Sequence, residues 1–200
     1  MAPQFVTCQA GCKEHAFPCE NSALDYVGTL RARRNLAPTE MLDAPSSLDA
    51  WFRVSGVVKG STNSQLSDLP KAIELREAIY SLVAARLTKD DYDESAFAVL
   101  NRAARAAPVV PQLTPAGLRL DGTSEQALSS VARAAIDILS GPDKELLKEC
   151  GRPECTQVYL DRSHGFRREW CAMKTCDNKM KAAAYRACQR GNPPLSTSRA

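Results

Sequence analysis

Apolar residues recur at three- and four-residue spacing through most of the first 140 positions, the period of helices that bury one face. Leu24, Val27 and Leu30 carry it first, in a segment that Ser22 can cap and that is expected to end near Arg34. Leu48, Trp51 and Phe52 form a second, short helix behind a Ser47 cap, stopped by Gly56. The strongest signal begins at Asp68. Pro70 is tolerated in the first turn there, and Ile73, Leu75, Ile79, Leu82, Val83 and Leu87 keep helical spacing. A fourth helix carries Phe97, Val99, Leu100 and Ala103; a fifth, over 123–139, carries Leu128, Val131, Ala135, Ile136 and Leu139 and is broken by Gly141-Pro142.

Polar and breaker residues separate these runs. The stretches 38–45 and 60–67 read as loops. Pro108, Pro111 and Pro115 end the fourth helix and leave extended pieces at 109–113 and 117–120; with Asp121-Gly122 as a turn signal, a small β-hairpin is expected. A short helix over 143–148 then delivers the chain to Cys150, residues 157–160 read as a strand, 161–165 as a turn and 166–170 as the returning strand. From Asp177 onward Met180, Ala183, Ala184, Ala187 and Cys188 form one apolar helix face, with Lys179, Arg186 and Arg190 beside it. The tail 191–200 has the composition of disorder. The pattern thus predicts a mainly α chain: a helical N-terminal domain with a small hairpin, then a small C-terminal module of hairpin plus helix.

Composition narrows the classes. With 24% charged and 44% apolar residues the chain is globular rather than disordered or fibrous, and no run approaches the roughly 18 apolar residues of a membrane span. An export signal with a basic n-region and a continuous apolar h-region is not recognised, so a cytoplasmic location is expected. The net charge of +3 hides two unlike parts. Residues 150–200 hold 10 Lys/Arg against 4 Asp/Glu, giving +6, whereas residues 1–149 hold 16 against 19, giving −3.

The cysteines are as uneven: Cys8, Cys12 and Cys19 near the start, Cys150, Cys155, Cys171, Cys176 and Cys188 near the end. Paired clusters without an export signal point to metal binding rather than to a disulfide framework. The spacing Cys150-x4-Cys155-x15-Cys171-x4-Cys176 gives two short loops of two thiolates each, which suits tetrahedral zinc in a zinc-ribbon or treble-clef-like arrangement. Four thiolates fill the shell and leave no position for a reactive water, so the zinc is expected to be structural. Around it stand Arg162, His164, Arg167, Arg168, Lys174, Asn178, Lys179, Lys181 and Arg186, a basic set suited to the phosphate backbone of DNA. A zinc-stabilised module that docks on a protein partner without binding DNA is the alternative.

The run Leu160-Asp161-Arg162-Ser163, Arg167-Arg168, Trp170-Cys171-Ala172-Met173 and Cys176-Asp177-Asn178-Lys179 resembles the CGNR-type zinc finger. Upstream, Leu24-Asp25-Tyr26-Val27-Gly28-Thr29-Leu30 is similar to the LDFVNT segment of the ABATE-type domain that precedes this finger in bacterial stress-induced transcription regulators, and Leu75-Arg76-Glu77-Ala78-Ile79 is similar to its central helix. The resemblance covers most of 20–188. It implies a DNA-binding transcription regulator with a helical regulatory domain over 20–146, a finger over 147–190, and a small-molecule or other signal read by the N-terminal part. Two-fold DNA sites favour a homodimer. The signature differs: Asp177 stands for glycine and can weaken phosphate affinity or cap the next helix, Lys179 for arginine loses the planar fork, and Gly28 stands for asparagine.

Two further groups carry candidate chemistry. Cys8, Cys12, His15 and Cys19 offer four ligands within residues 1–19, and a second zinc site, a redox-sensing thiol cluster and an uncoordinated extension all fit them. Asp90, Asp91, Asp93 and Glu94 could form a hard-metal or acid/base site, but their place ahead of a helix fits its positive end better. With only His15 and His164 and no glycine-rich phosphate loop, no catalytic constellation is found and an enzyme is not expected.

Overall fold

The computed structural model describes residue 19 and residues 21–172 and 176–191. Cys8, Cys12, His15, Lys174 and the tail beyond 191 lie outside them. The chain is mainly α-helical with three two-stranded antiparallel sheets. Helix α1, Ser22–Val27, is capped by Asn21, whose side chain accepts from the Ala23 and Leu24 N–H groups, one residue before the expected Ser22. It is also shorter than its apolar spacing predicts. The chain turns after Val27, and Leu30 joins β1, Leu30–Arg31, paired with β2, Thr39–Glu40, inside the stretch expected to be loop. Long-range pull explains the early stop: Arg33 is drawn to Glu77 and lies 4.1 Å over the Tyr80 ring.

Helix α2, Pro45–Val54, starts behind Ala44 with Pro45 in its first turn, not behind a Ser47 cap; Ser47 instead donates to Asp43. Gly56, at φ 78°, lets the chain leave. Helix α3, Asp68–Thr88, and α4, Glu94–Arg105, follow as their periodicity predicts, and Asp93 caps α4 by accepting from the Ser95 N–H. The acidic run is therefore a helix start, with Asp93 in the capping role. Strands β3, Gln112–Thr114, and β4, Gly117–Arg119, form the expected hairpin, but its turn is Pro115-Ala116. Asp121-Gly122 leads into α5, Ser124–Ser140, closed at its start by a capping box between Thr123 and Gln126.

The last third departs most from expectation. Residues 142–146 make a 3-10 turn, Pro142–Leu146, and residues expected to be helical become β5, Leu147–Glu149. Its partner is β6, Val158–Leu160, not a strand at 166–170. The hairpin thus folds around the first cysteine loop, and 161–170 is an irregular loop leading toward α6, Asn178–Gly191.

One continuous core links all these parts. Tyr26, Trp51 and Phe52 meet edge to face at its centre, and Leu75, Ile79, Leu82 and Val83 of α3 and Val131, Ala132 and Ala135 of α5 close around them. Val158, Tyr159 and Leu160 of β6 belong to the same cluster. The finger hairpin is therefore seated on the helical domain. Gln157 donates through Nε2 to the carbonyls of Leu24 (3.1 Å) and Val158 (3.0 Å), and a Cβ at Gly28 would stand 2.1 Å from its Oε1, so glycine fits where the resemblance leads one to expect asparagine. The Arg33 N–H donates to Thr156 (3.3 Å), and Arg34 pairs with Glu149 (2.6 Å). Among the described residues no helix is long and apolar enough to cross a membrane.

Candidate metal centre and nucleic-acid interface

Cys150 and Cys155 sit in the loop between β5 and β6, Cys171 follows the loop 161–170, and Cys176 stands two residues before α6. Their four sulfur atoms lie within 4.8 Å of one another. Sulfurs 2.3 Å from a tetrahedral zinc are separated by about 3.8 Å. The Cys155–Cys171 and Cys171–Cys176 sulfurs are 3.8 and 3.5 Å apart. The donor set therefore fits zinc in number, softness and spacing.

Proton sharing supports the same chemistry. Cys150 accepts hydrogen bonds from Cys155 and Cys171, which lowers its thiol well below the ordinary value. Its neighbours respond in the opposite sense: Cys155 is pushed up to about 11, first by its hydrogen bond to Cys150, and Cys171 is raised by Cys150, Cys155 and burial. Four such groups can all ionise only if a cation replaces the shared protons.

Several residues brace this centre. Asp161 is fully buried; it accepts from Lys148 Nζ (2.7 Å), from Ser163 N–H (3.0 Å) and Oγ (2.6 Å), and from Arg168 N–H (3.1 Å). Burial alone would raise its carboxyl, but these donors hold it well below the usual carboxylate range. Arg168 donates through Nε to the Trp170 carbonyl (2.8 Å) and through Nη2 to that of Cys171, and lies 4.5 Å over the Tyr159 ring. Its guanidinium is thus engaged inside the finger. Burial would lower Arg152, yet its hydrogen bond to Cys176 and its electrostatic interaction with Cys176 and Cys155 hold its pKa above the ordinary value. Sequence reasoning missed Lys148, Arg152 and the bracing part of Asp161. Only the spacing Asp161-x-Ser163, which suits a side-chain-closed turn, signals any of them.

We expect Asp161→Asn to destabilise the finger by about 2–3 kcal/mol, since an amide turns an N–H group toward existing donors and takes from Lys148 the charge it pairs with. Thermal melts followed by tryptophan fluorescence should show a midpoint lower by about 4–12 °C. An unshifted midpoint would show that the carboxylate does not hold the loop.

The predicted nucleic-acid residues divide. Arg162, His164 and Arg167 are exposed on the loop, and Asn178, Lys179, Lys181 and Arg186 on α6, whereas Arg168 is half-buried. Arg162 pairs with Asp143 (2.6 Å) and Lys181 with Asp177 (2.8 Å), both exposed cations in contacts of small net worth. Arg167, Trp170 and Asp177 line one open depression, so the loop and the start of α6 share a side of the finger. Of the expected apolar face of α6, the side chains of Met180 and Ala183 are described. Met180 is half-buried, but Ala182, Ala183 and Tyr185 are exposed.

Cys19 is buried, donates its S–H to the Val158 carbonyl (2.9 Å), and is raised by burial, so it rests as a thiol facing the finger. Its three proposed co-ligands are outside the described residues.

A helical domain followed by a four-thiol finger defines the class of protein. Residues 20–142 match the ABATE family model, described as "Putative stress-induced transcription regulator", and residues 147–189 match the CGNR zinc finger model. The chain belongs to the ABATE family. Neither family is an enzyme family, and together they indicate a regulatory, zinc-binding role. No curated protein matches the chain.

Proposed function

We propose that the protein is a cytoplasmic transcription regulator whose finger, residues 147–190, holds one structural zinc on Cys150, Cys155, Cys171 and Cys176 and binds duplex DNA. The observation that carries it is the exposure of Arg162, His164, Arg167, Lys179, Lys181 and Arg186 on the loop and helix that the four-sulfur cluster ties together. Zinc supplies a rigid cross-link and no reactivity. The chain supplies the cations that replace counterions on phosphate, with residues 178–181, from Asn178 to Lys181, able to reach base edges. Helical residues 20–146 are the regulatory part, taking a signal or small molecule and joining two copies on a two-fold site. The bonds from Gln157, Thr156 and Glu149 to this domain give such a signal a direct route into the finger.

Counterion release tests the reading. With about four phosphate contacts, affinity of the zinc-loaded chain for a duplex from its own promoter region should fall about a hundredfold between about 50 and 200 mM salt. No retardation of that duplex at low salt would instead favour a finger that docks on protein.

A further inference from the structure

The side chain of Phe166 takes no part in the hydrophobic core. It is 58% exposed at the tip of the loop after β6, in a segment where every residue from 162 to 167 faces solvent. Its φ is 53°, and Gly165 before it is at 76°, two successive left-handed residues of which only the glycine suits the conformation. A bulky residue keeps such a backbone only where its surroundings over-determine it. Here they do: the Phe166 N–H donates to the Ser163 carbonyl (3.1 Å), its own carbonyl accepts from Lys148 Nζ, and buried Asp161 gathers Lys148, Ser163 and Arg168 beneath the loop. The loop is thus a built mount that turns an aromatic ring outward, with Arg162 and His164 before it and Arg167 after it.

A hydrocarbon ring has no donor or acceptor to read a base edge, so on a nucleic acid it can only stack or insert. Platforms for single strands set several aromatics in succession. A single apolar side chain between cations is the arrangement of a wedge that unstacks one base step from the minor groove. We propose that Phe166 is such a wedge in duplex DNA, with Arg162 and Arg167 on the flanking phosphates. The proposal rests on the DNA-binding reading above and adds to it a predicted bend in the DNA.

The test uses the full-length, zinc-loaded chain at low salt with a random-sequence duplex pool of about 30 base pairs, labelled at both ends for energy transfer, and the matching single strands. Wild type should bind the duplex and shorten the end-to-end distance. Phe166→Ala should bind about tenfold more weakly and leave the distance unchanged, while Phe166→Leu keeps the bend. Phe166→Gly, which suits the left-handed backbone, should lose the bend without a lower melting midpoint, so that lost bending cannot be lost folding. Bending by Phe166→Ala equal to wild type would overturn the wedge and leave DNA binding standing. Tighter, Phe166-dependent binding of the single strand would also overturn it, in favour of a stacking platform. Failure of wild type to bind either probe would defeat the DNA reading itself, and the wedge with it.

Discussion

Cys155→Ala is expected to lose zinc and unfold the finger. Three thiolates and a water hold zinc far more weakly than four thiolates, and metal binding is worth about 10–16 kcal/mol in small zinc modules, as much as the whole stability of a typical domain. The finger's own regular structure is small: a hairpin of three-residue strands, an irregular loop and one helix. The two tryptophans separate the outcomes, because Trp51 lies in the helical core and Trp170 beside Gly151 in the finger. In a Trp51→Phe background, Trp170 emission should shift to the red in Cys155→Ala, and metal analysis after dialysis against a chelator should fall from about one zinc per chain to near zero. Unchanged zinc content would refute the four-cysteine assignment. The helices should persist with lower stability. Val158, Tyr159 and Leu160 close their core, and burying each such side chain contributes about 1.5–3 kcal/mol.

The seating of the finger on the helices could not be read from the sequence, and the reason is physical. Helical period and cysteine spacing are local signals, so α3, α4, α5 and the four ligands are legible from short windows. The partner of β5 lies beyond the cysteine loop, and residues 143–149 are too short and too polar for periodicity to tell helix from strand. Leu30 fits a helix by spacing and still leaves it, because Arg33 gains Glu77 and Tyr80 only by turning the chain. Arg168 shows another limit. Beside Arg167 it looks like a phosphate ligand, yet its partners are the carbonyls of Trp170 and Cys171 and the ring of Tyr159, which composition does not reveal. Asp177 illustrates the converse: a carboxylate that departs from the family signature answers Lys181 within one turn, so it offsets one cation of the proposed interface.

Arg76→Ala should cost the helical domain as much stability as truncating one of its large core side chains. Arg76 lies in the middle of α3 at 1% exposure, with Nη1 and Nη2 donating to the two Glu40 oxygens (2.6 and 2.7 Å), Nε to Glu77 (2.8 Å), and Nη1 also to Thr29 (3.3 Å). Glu40 ends the two-residue strand β2, and the fork fastens that strand to α3. Removing the guanidinium leaves a cavity and a half-buried carboxylate without its partner, a change that costs about 3–5 kcal/mol, or about 10 °C in midpoint for a chain of this length. Arg76→Lys should recover little, since an ammonium cannot span both oxygens of Glu40 and reach Glu77. The pH dependence identifies the cause. Burial alone would raise the Glu40 carboxyl, but Arg76 and the Leu42 N–H hold it below the ordinary value, so its contribution is fully present above the unfolded carboxylate range near 4.3 and is lost as pH falls through the lower folded value. In Arg76→Ala the arginine's share is gone, and the backbone N–H groups of Leu42 and Met41 are left to oppose the upward push of burial. The stability difference between wild type and variant, measured by urea unfolding, should therefore be greatest above about pH 5 and shrink as Glu40 is protonated. A difference of the same size at pH 3 and pH 7 would assign the loss to packing of the arginine stem and not to the ion pair.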